Sequence, residues 1–152
     1  MTQLLAPAIR IRVTILLRWE DGRLLFVRHL KEGRRYWLLP GGGQRPGEPL
    51  EAAARRELEE ELRVTAGAFR FLGLRESIAP EGGRHIQFPL FAAVDPDFSR
   101  LAVGDDPRVE GFDCLGPDEL PGRPIFPHFP DDLARLMRGE PITPFRTLPW
   151  VP

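Results

Sequence analysis

Apolar and polar residues alternate over several short stretches of the chain, and this alternation predicts a strand-rich fold. Residues 9–17 alternate and are rich in Ile, Val and Leu, which is typical of a half-buried strand. The tripeptide Glu20-Asp21-Gly22 predicts a hairpin turn into a second strand at residues 24–28. After a polar loop at residues 31–35, further strands are predicted at residues 36–39, 69–76 and 85–94, the last two joined by a turn at residues 80–84.

Between these strands the pattern takes the period of a helix, from Pro49 to about Arg63. Pro49 suits the first helical position and Glu51 suits the first turn, while Ala, Leu, Glu and Arg fill the remainder. Pro130 followed by residues 131–138 predicts a second, short helix near the end of the chain.

The last dozen residues are proline-rich, and we expect them to be irregular, with Phe145 and Trp150 packed against the body. The whole chain has 152 residues and is 42% hydrophobic, which is enough for one domain with a buried core. Many strands with two helices form an α+β pattern. We therefore predict a single α+β domain over residues 1–152.

Charge, hydropathy and cysteine content exclude several kinds of protein and of site. The formal net charge of -1 argues against a protein that holds nucleic acid by bulk charge. Arg10, Arg12 and Arg18 interrupt the most apolar stretch, so no membrane-spanning helix is expected there. The beginning of the chain lacks the layout of a signal peptide, and we expect a cytoplasmic protein. Cys114 is the only cysteine, which excludes an internal disulfide and a cysteine-based zinc site.

Three carboxylates share one face of the central helix, since Glu57, Glu60 and Glu61 are spaced i, i+3 and i+4. Like charges at this spacing cost about 0.2–0.5 kcal/mol per pair, and carboxylates in the last turn oppose the helix dipole. A hard divalent cation with oxygen ligands, Mg²⁺ or Mn²⁺, would neutralise them. Taken alone, the helix is equally well explained as a solvated charged surface.

A glycine-rich segment directly before the helix favours the metal site. Leu39-Pro40-Gly41-Gly42-Gly43 is followed by Gly47-Glu48, and the helix begins two residues later. Together the segment and the helix resemble the Nudix hydrolase signature, G-x5-E-x7-R-E-U-x-E-E-x-G-U, in which U is apolar. The match runs from Gly42 to Val64, with Arg63 in place of the second glycine. The resemblance implies a Nudix-type α/β/α sandwich, with a mixed β-sheet, the signature loop and helix, and a short C-terminal helix.

The resemblance also implies roles for the matching residues. Glu57, Glu60 and Glu61 are expected to bind Mg²⁺ (or Mn²⁺), together with a backbone carbonyl at Gly41. Glu57 is either a further ligand or the base that takes a proton from the attacking water, and Arg56 is expected to hold the glutamates in place. These residues form the catalytic group that the signature predicts.

Two other signature residues are expected to support the loop. Glu48 is expected to orient the loop or Arg56 rather than to touch substrate. Gly42 opens the signature and is expected to present backbone groups to metal or phosphate, which makes it both a structural and a substrate-binding residue.

Residues outside the signature supply further candidates. Glu110 is a second candidate for the general base, in a segment that resembles the family's acidic loop, and Asp105 and Asp106 precede it. Arg28 and Arg35 are candidates for contacts with substrate phosphates. For each of these residues an ordinary solvated surface charge is the alternative.

The resemblance implies cleavage of the pyrophosphate of a nucleoside diphosphate linked to another moiety. Pro80 lies sixteen residues beyond Val64, as in some ADP-ribose-hydrolysing members, which favours ADP-ribose or another nucleotide sugar. A nucleoside triphosphate pyrophosphohydrolase of the house-cleaning type is the alternative, and a catalytically silent Nudix-like nucleotide-binding regulator is the alternative from another class. The expected partner is a small-molecule nucleotide, with no nucleic acid and no membrane, and a homodimer is left open.

Overall fold

The computed structural model describes residues 8–151, which form nine strands and two helices. The strands are β1 (Arg10–Leu16), β2 (Leu24–Lys31), β3 (Arg34–Leu38), β4 (Gly41–Gly43), β5 (Thr65–Ile78), β6 (His85–Asp97), β7 (Val109–Leu115), β8 (Ile125–Phe126) and β9 (Phe145–Leu148). The helices are α1 (Leu50–Leu62) and α2 (Pro130–Met137). None of the helices in this part of the chain is long and apolar enough to cross a membrane.

The strands form two mixed sheets, in agreement with the mixed strand pairing expected from the sequence. One sheet has five strands in the order β4-β1-β6-β5-β9, with parallel pairing of β1 with β6 and of β5 with β9. The other has four strands in the order β7-β2-β3-β8, with β3 and β8 parallel. The division arises because β2 pairs with β3 and β7 rather than extending the sheet that contains β1.

The two helices cover opposite faces of the strands. Successive residues of a strand point to opposite sides, and in β2 Leu25 joins a buried cluster that contains Leu58 of α1. On the other side, Leu24 and Phe26 join a second cluster that contains Leu133 of α2. This places the sheets between two helical layers, which confirms the predicted α+β class and the α/β/α arrangement.

The predicted strands and helices are present, but some of their ends differ. Pro49 is not the first helical residue: its ψ of 149° is extended, and α1 begins at Leu50. The predicted polar loop at residues 31–35 is largely strand, because the chain reverses within the two residues Glu32-Gly33, both with positive φ.

The chain end also differs from its prediction. Residues 145–148 are not irregular but form β9, which pairs in parallel with β5. Phe145 is 53% exposed, so the expectation that it packs against the body was wrong. Trp150 is half-buried, and the guanidinium of Arg84 lies 5.4 Å from its ring centroid, in agreement with the expectation for this residue.

Arg63 keeps the exit of α1 intact although the signature has glycine at this position. Arg63 adopts the left-handed conformation, with φ 54° and ψ 39°, and its N–H donates to the carbonyl of Glu59 at 2.9 Å. A glycine is favoured there because a left-handed conformation strains any residue with a Cβ. Arg63 therefore carries backbone strain that a glycine at this position would not.

Candidate active site

The glycine segment lies directly beneath the acidic face of α1. In β4, Gly41 and Gly42 pair with Thr14 and Val13 of β1. Gly41 has φ +151°, and a Cβ on it would collide with the carbonyl of Val13. A Cβ on Gly42 would collide with the carboxylate of Glu57. Glycine is therefore required at both positions, because β4 lies close to β1 at Gly41 and close to the carboxylate of Glu57 at Gly42.

Arg56 connects the loop with the glutamates of α1. Its Nε and Nη2 donate to the two carboxylate oxygens of Glu48, at 2.7 and 2.8 Å. Its Nη1 donates to Glu57 at 2.8 Å and to Glu60 at 3.3 Å, and Nη2 also donates to the carbonyl of Gly43 at 2.9 Å. Arg56 thus contacts Glu48 and two of the signature glutamates at once. The same ion pair lowers the pKa of Glu48 to about 2 and raises that of Arg56.

Glu61 points in the other direction, towards the strand. Its Oε1 accepts a hydrogen bond from the N–H of Gly41 at 3.1 Å. The pKa of Glu61 is raised to about 7, chiefly by burial and also by the charge of Glu57, against the opposing effects of Arg12 and of the hydrogen bond from Gly41. An ionised Glu61 is thus poorly solvated in the protein and lies near a second carboxylate, which is a setting that favours an added cation.

Arg12 is a member of this site that the sequence analysis did not identify. Its Nη1 and Nη2 donate to the carbonyls of Leu39 and Gly41, at 3.4 and 3.3 Å. Burial lowers the pKa of Arg12, while the charges of Glu61 and Glu57 raise it. A signal was available, since Arg12 stands between Ile11 and Val13 in an apolar strand, where a charged side chain needs a partner.

The three signature glutamates do not converge on one point within residues 8–151, where no three His, Cys, Asp or Glu side chains are grouped as metal ligands would be. Glu57 and Glu60 turn to Arg56, and Glu61 turns to Gly41. The donor set nevertheless fits Mg²⁺ or Mn²⁺, because it consists of carboxylates with a backbone carbonyl nearby. The raised pKa of Glu61 supports this fit, since a bound cation would stabilise its ionised form.

The structure places Glu110, Arg28 and Arg35 together, but apart from the signature residues. Glu110 lies within β7 rather than in a loop, which corrects the prediction. Arg35 donates to both carboxylate oxygens of Glu110, at 2.7 and 3.0 Å, and Nε of Arg28 lies 3.3 Å from Oε2 of Glu110. The hydrogen bonds from Arg35 lower the pKa of Glu110. In the described part of the chain, no hydrogen bond or ion pair joins Glu110 to the signature glutamates.

These three residues line a shallow surface groove of about 650 Å³. Arg28 also forms an ion pair with Asp113 at 2.6 Å, and Asp113 accepts a hydrogen bond from the indole of Trp37 at 2.9 Å. The charges of Arg28 and Arg35 are therefore matched by acidic neighbours. Neither arginine contacts the glycine segment, so their predicted contact with substrate phosphate has no support in this geometry.

The loop before β7 closes over the end of α1. The N–H of Gly104 donates to the carbonyl of Glu61 at 2.9 Å. Asp106 pairs with Arg108 at 2.8 Å, which lowers the pKa of Asp106 to about 2. Of the acidic loop residues considered from the sequence, Asp106 is thus the one whose charge acts on Glu61. For Asp105 the structure provides no such contact.

Known proteins share both the pattern and the fold of this chain. The model of the NUDIX domain matches residues 8–136. An RNA pyrophosphohydrolase of Caulobacter vibrioides is 45% identical over 67 residues, which is 43% of this chain and 39% of that protein. The match thus spans about two fifths of the length of that relative.

Solved structures resemble the chain over most of its length. A MutT NUDIX hydrolase from Burkholderia pseudomallei is 28% identical, with a TM-score of 0.70, over 83% of this chain and 96% of that one. A MutT protein from Bacillus halodurans has a TM-score of 0.76 over 95% of this chain and 92% of that one, and at 18% identity it supports the fold alone.

Proposed function

Because the chain belongs to the Nudix domain family, we propose that it is a metal-dependent hydrolase that cleaves the pyrophosphate of a nucleoside diphosphate linked to another moiety. The family match confirms the resemblance predicted from Gly42 to Val64, and the structural neighbours confirm the Nudix-type sandwich. The match and the named relatives indicate an enzyme of the Nudix pyrophosphohydrolase class.

The observation that carries the proposal is the arrangement around Arg56. One guanidinium joins Glu48, Glu57 and Glu60 to the carbonyl of Gly43, directly above the glycine segment. A surface helix with solvated charges has no need of such a network. A planar guanidinium with several fixed partners holds carboxylates in defined orientations, which is what a metal site requires of the groups that support it.

In the proposed mechanism, Glu57, Glu60 and Glu61 would hold Mg²⁺ or Mn²⁺ together with the carbonyl of Gly41. Such an ion offsets the phosphate charge and lowers the pKa of a bound water. Arg56 keeps Glu57 and Glu60 oriented, and the N–H of Gly41 keeps Glu61 in place.

Glu57 is either the third of these ligands or the base, and in the second role it, rather than Glu110, takes the proton of the attacking water. Both carboxylate oxygens of Glu110 accept hydrogen bonds from Arg35, and its pKa is lowered, so it is a weak base in this arrangement. Glu57 has one oxygen bound to Arg56 and lies against Gly42, inside the signature. Within residues 8–151, its second oxygen accepts no hydrogen bond.

For the substrate, we propose a nucleotide sugar, with ADP-ribose first. Pro80 follows β5 in the turn that leads to β6, where the N–H of Ala79 donates to the carbonyl of Arg84 at 2.8 Å. Its distance from the signature favours the ADP-ribose-hydrolysing members. Nucleoside triphosphates are the second candidate, and the RNA pyrophosphohydrolase relative adds RNA as a third.

The test is hydrolysis by the whole chain over a panel of these three classes, with Mg²⁺, with Mn²⁺ and with a chelator. We expect metal-dependent conversion of ADP-ribose to AMP and ribose 5-phosphate, at a higher kcat/KM than for the other classes. A higher kcat/KM for a nucleoside triphosphate or for RNA would make that class the substrate in place of the nucleotide sugar. Nucleotide binding without cleavage under either metal would overturn the hydrolase proposal in favour of the silent regulator.

A further inference from the structure

We propose that Arg12 is a positioning residue that supplies a fixed positive charge beneath the glycine segment, and that this charge sets how tightly the signature glutamates bind the divalent cation. The inference rests on the proposed function for the metal, and it does not depend on which nucleotide is cleaved.

Arg12 and Glu61 are connected through a single residue of the glycine segment, Gly41. Nη2 of Arg12 donates to the carbonyl of Gly41 at 3.3 Å, while the N–H of Gly41 donates to Glu61 at 3.1 Å. Gly41 is held against β1, where it pairs with Thr14, and its φ of +151° is one that glycine adopts without strain. The guanidinium of Arg12 and the carboxylate of Glu61 are therefore both hydrogen-bonded to the backbone of one residue of β4.

The two arginines of the site carry their charges differently. Arg56 is matched by close hydrogen bonds to Glu48 and Glu57, so its charge is taken up locally. Arg12 donates only to the carbonyls of Leu39 and Gly41 among the described residues, at 3.4 and 3.3 Å, near the long limit for hydrogen bonds. With no hydrogen-bonded acid, the charge of Arg12 acts on Glu61 and Glu57 through space.

This placement has a consequence for metal binding. In the absence of a cation, Arg12 offsets part of the negative charge of Glu57 and Glu61. A divalent cation bound to the same carboxylates would lie near a fixed positive charge and would share the Gly41 carbonyl with it. Since like charges in a partly buried site repel strongly, Arg12 stabilises the metal-free protein and weakens metal affinity.

The test measures Mn²⁺ binding without nucleotide, by the loss of the electron paramagnetic resonance signal of free Mn²⁺. Arg12→Gln removes the charge and keeps a polar amide. Arg10→Gln is the matched control, since Arg10 lies exposed on the same strand and the change in net charge is identical. Arg12→Lys retains the charge without the planar fork.

We expect Arg12→Gln to bind Mn²⁺ about fivefold more tightly than the natural chain, because one repulsive charge is removed. Arg10→Gln and Arg12→Lys should stay within about twofold, since an exposed charge is screened and a lysine keeps the charge. The melting temperature of Arg12→Gln should be lower in chelator, and saturating Mn²⁺ should raise it by more than it raises that of the natural chain.

Unchanged or weaker Mn²⁺ binding by Arg12→Gln would overturn the inference and leave Arg12 as a structural support of the loop. An Arg12→Gln chain that stays unfolded even with saturating Mn²⁺ would overturn it too, because the cation should replace the missing charge. If the natural chain binds Mn²⁺ but cleaves no nucleotide, the proposed function fails while the Arg12 comparison still stands. If the natural chain binds no Mn²⁺, both fail.

Discussion

Arg56 and Glu48 form a two-pronged ion pair that joins α1 to the loop before it, with Nε and Nη2 of the guanidinium 2.7 and 2.8 Å from the two carboxylate oxygens. The pair leaves Nη1 to bind Glu57 and Glu60. The orientation of Glu57 and Glu60, two of the three proposed metal ligands, thus depends on Glu48, which is not itself proposed to contact metal or substrate.

Replacing Glu48 by Gln should therefore reduce activity without unfolding the protein. The amide has only one acceptor oxygen, so it cannot accept hydrogen bonds from both Nε and Nη2 of Arg56. Arg56 and the glutamates that it contacts then lose their defined orientation. We expect kcat/KM to fall about 10- to 100-fold, as is typical when an outer-shell partner of a metal site is lost. Glu51→Gln, an exposed change in the first turn of α1, is the control and should stay close to the natural chain. Equal effects of the two changes would contradict this role of Glu48.

Gly42→Ala tests the close approach of the loop to α1. The added Cβ would collide with the carboxylate of Glu57 and push it aside. Steady-state kinetics should show a loss of kcat of more than about 10-fold, the lower end for displaced metal-site groups. Gly43→Ala is the matched control, because no atom lies within 4 Å of a Cβ at that position. Full activity of Gly42→Ala would show that activity does not depend on the observed position of the Glu57 carboxylate.

Arg63→Gly should stabilise the chain. Arg63 has φ 54°, and glycine adopts this conformation without the cost of a Cβ. After allowance for the greater freedom of glycine in the unfolded chain, we expect the free energy of unfolding in urea to rise by about 0.5–1 kcal/mol. Arg63→Ala keeps the Cβ and should change it by less than about 0.5 kcal/mol. A gain from alanine equal to that from glycine would assign the effect to the lost charge instead.

Stability should fall in acid partly through Glu48 and Asp106. Ion pairs with Arg56 and Arg108 lower the pKa of each carboxyl to about 2, from ordinary values of 4.5 and 3.8. A carboxyl whose pKa is lowered in the folded state stabilises it above the unfolded pKa, and this contribution is lost as protons bind. The loss should therefore occur between about pH 4.5 and pH 2. Urea unfolding at a series of pH values should show a shallower decline for Glu48→Gln/Asp106→Asn than for the natural chain, and parallel curves would refute this assignment.

The central helix and its acidic face could be predicted because their determinants are local. The spacing of Glu57, Glu60 and Glu61 defines one helical face, and the signature adds Arg56 and Glu48 at fixed distances. The structure joins Arg56 to Glu48, Glu57 and Glu60 by hydrogen bonds, whereas Glu61 accepts its hydrogen bond from Gly41. For this helix and the residues that contact Arg56, the sequence alone was therefore sufficient for the prediction.

The remaining features depend on pairings between distant segments. Arg12 enters the site because β1 pairs with β4, and Glu110 meets Arg35 because β7 and β3 lie on either side of β2. The strand at Phe145–Leu148 exists only through its parallel pairing with β5. No periodicity within a short segment reveals such partners, since register between strands is decided by tertiary packing.

The most direct test of the account compares Glu61→Gln with Glu59→Gln in Mg²⁺-dependent hydrolysis of the best substrate of the panel. Both changes remove one carboxylate from the second half of α1, but Glu61 turns to Gly41 and Glu59 turns to Arg100. We predict that Glu61→Gln lowers kcat/KM by more than about 100-fold, beyond the loss typical of outer-shell residues, and that Glu59→Gln leaves it within about threefold. Equal activity of the two variants would contradict the assignment of the signature glutamates as the metal site of a pyrophosphohydrolase.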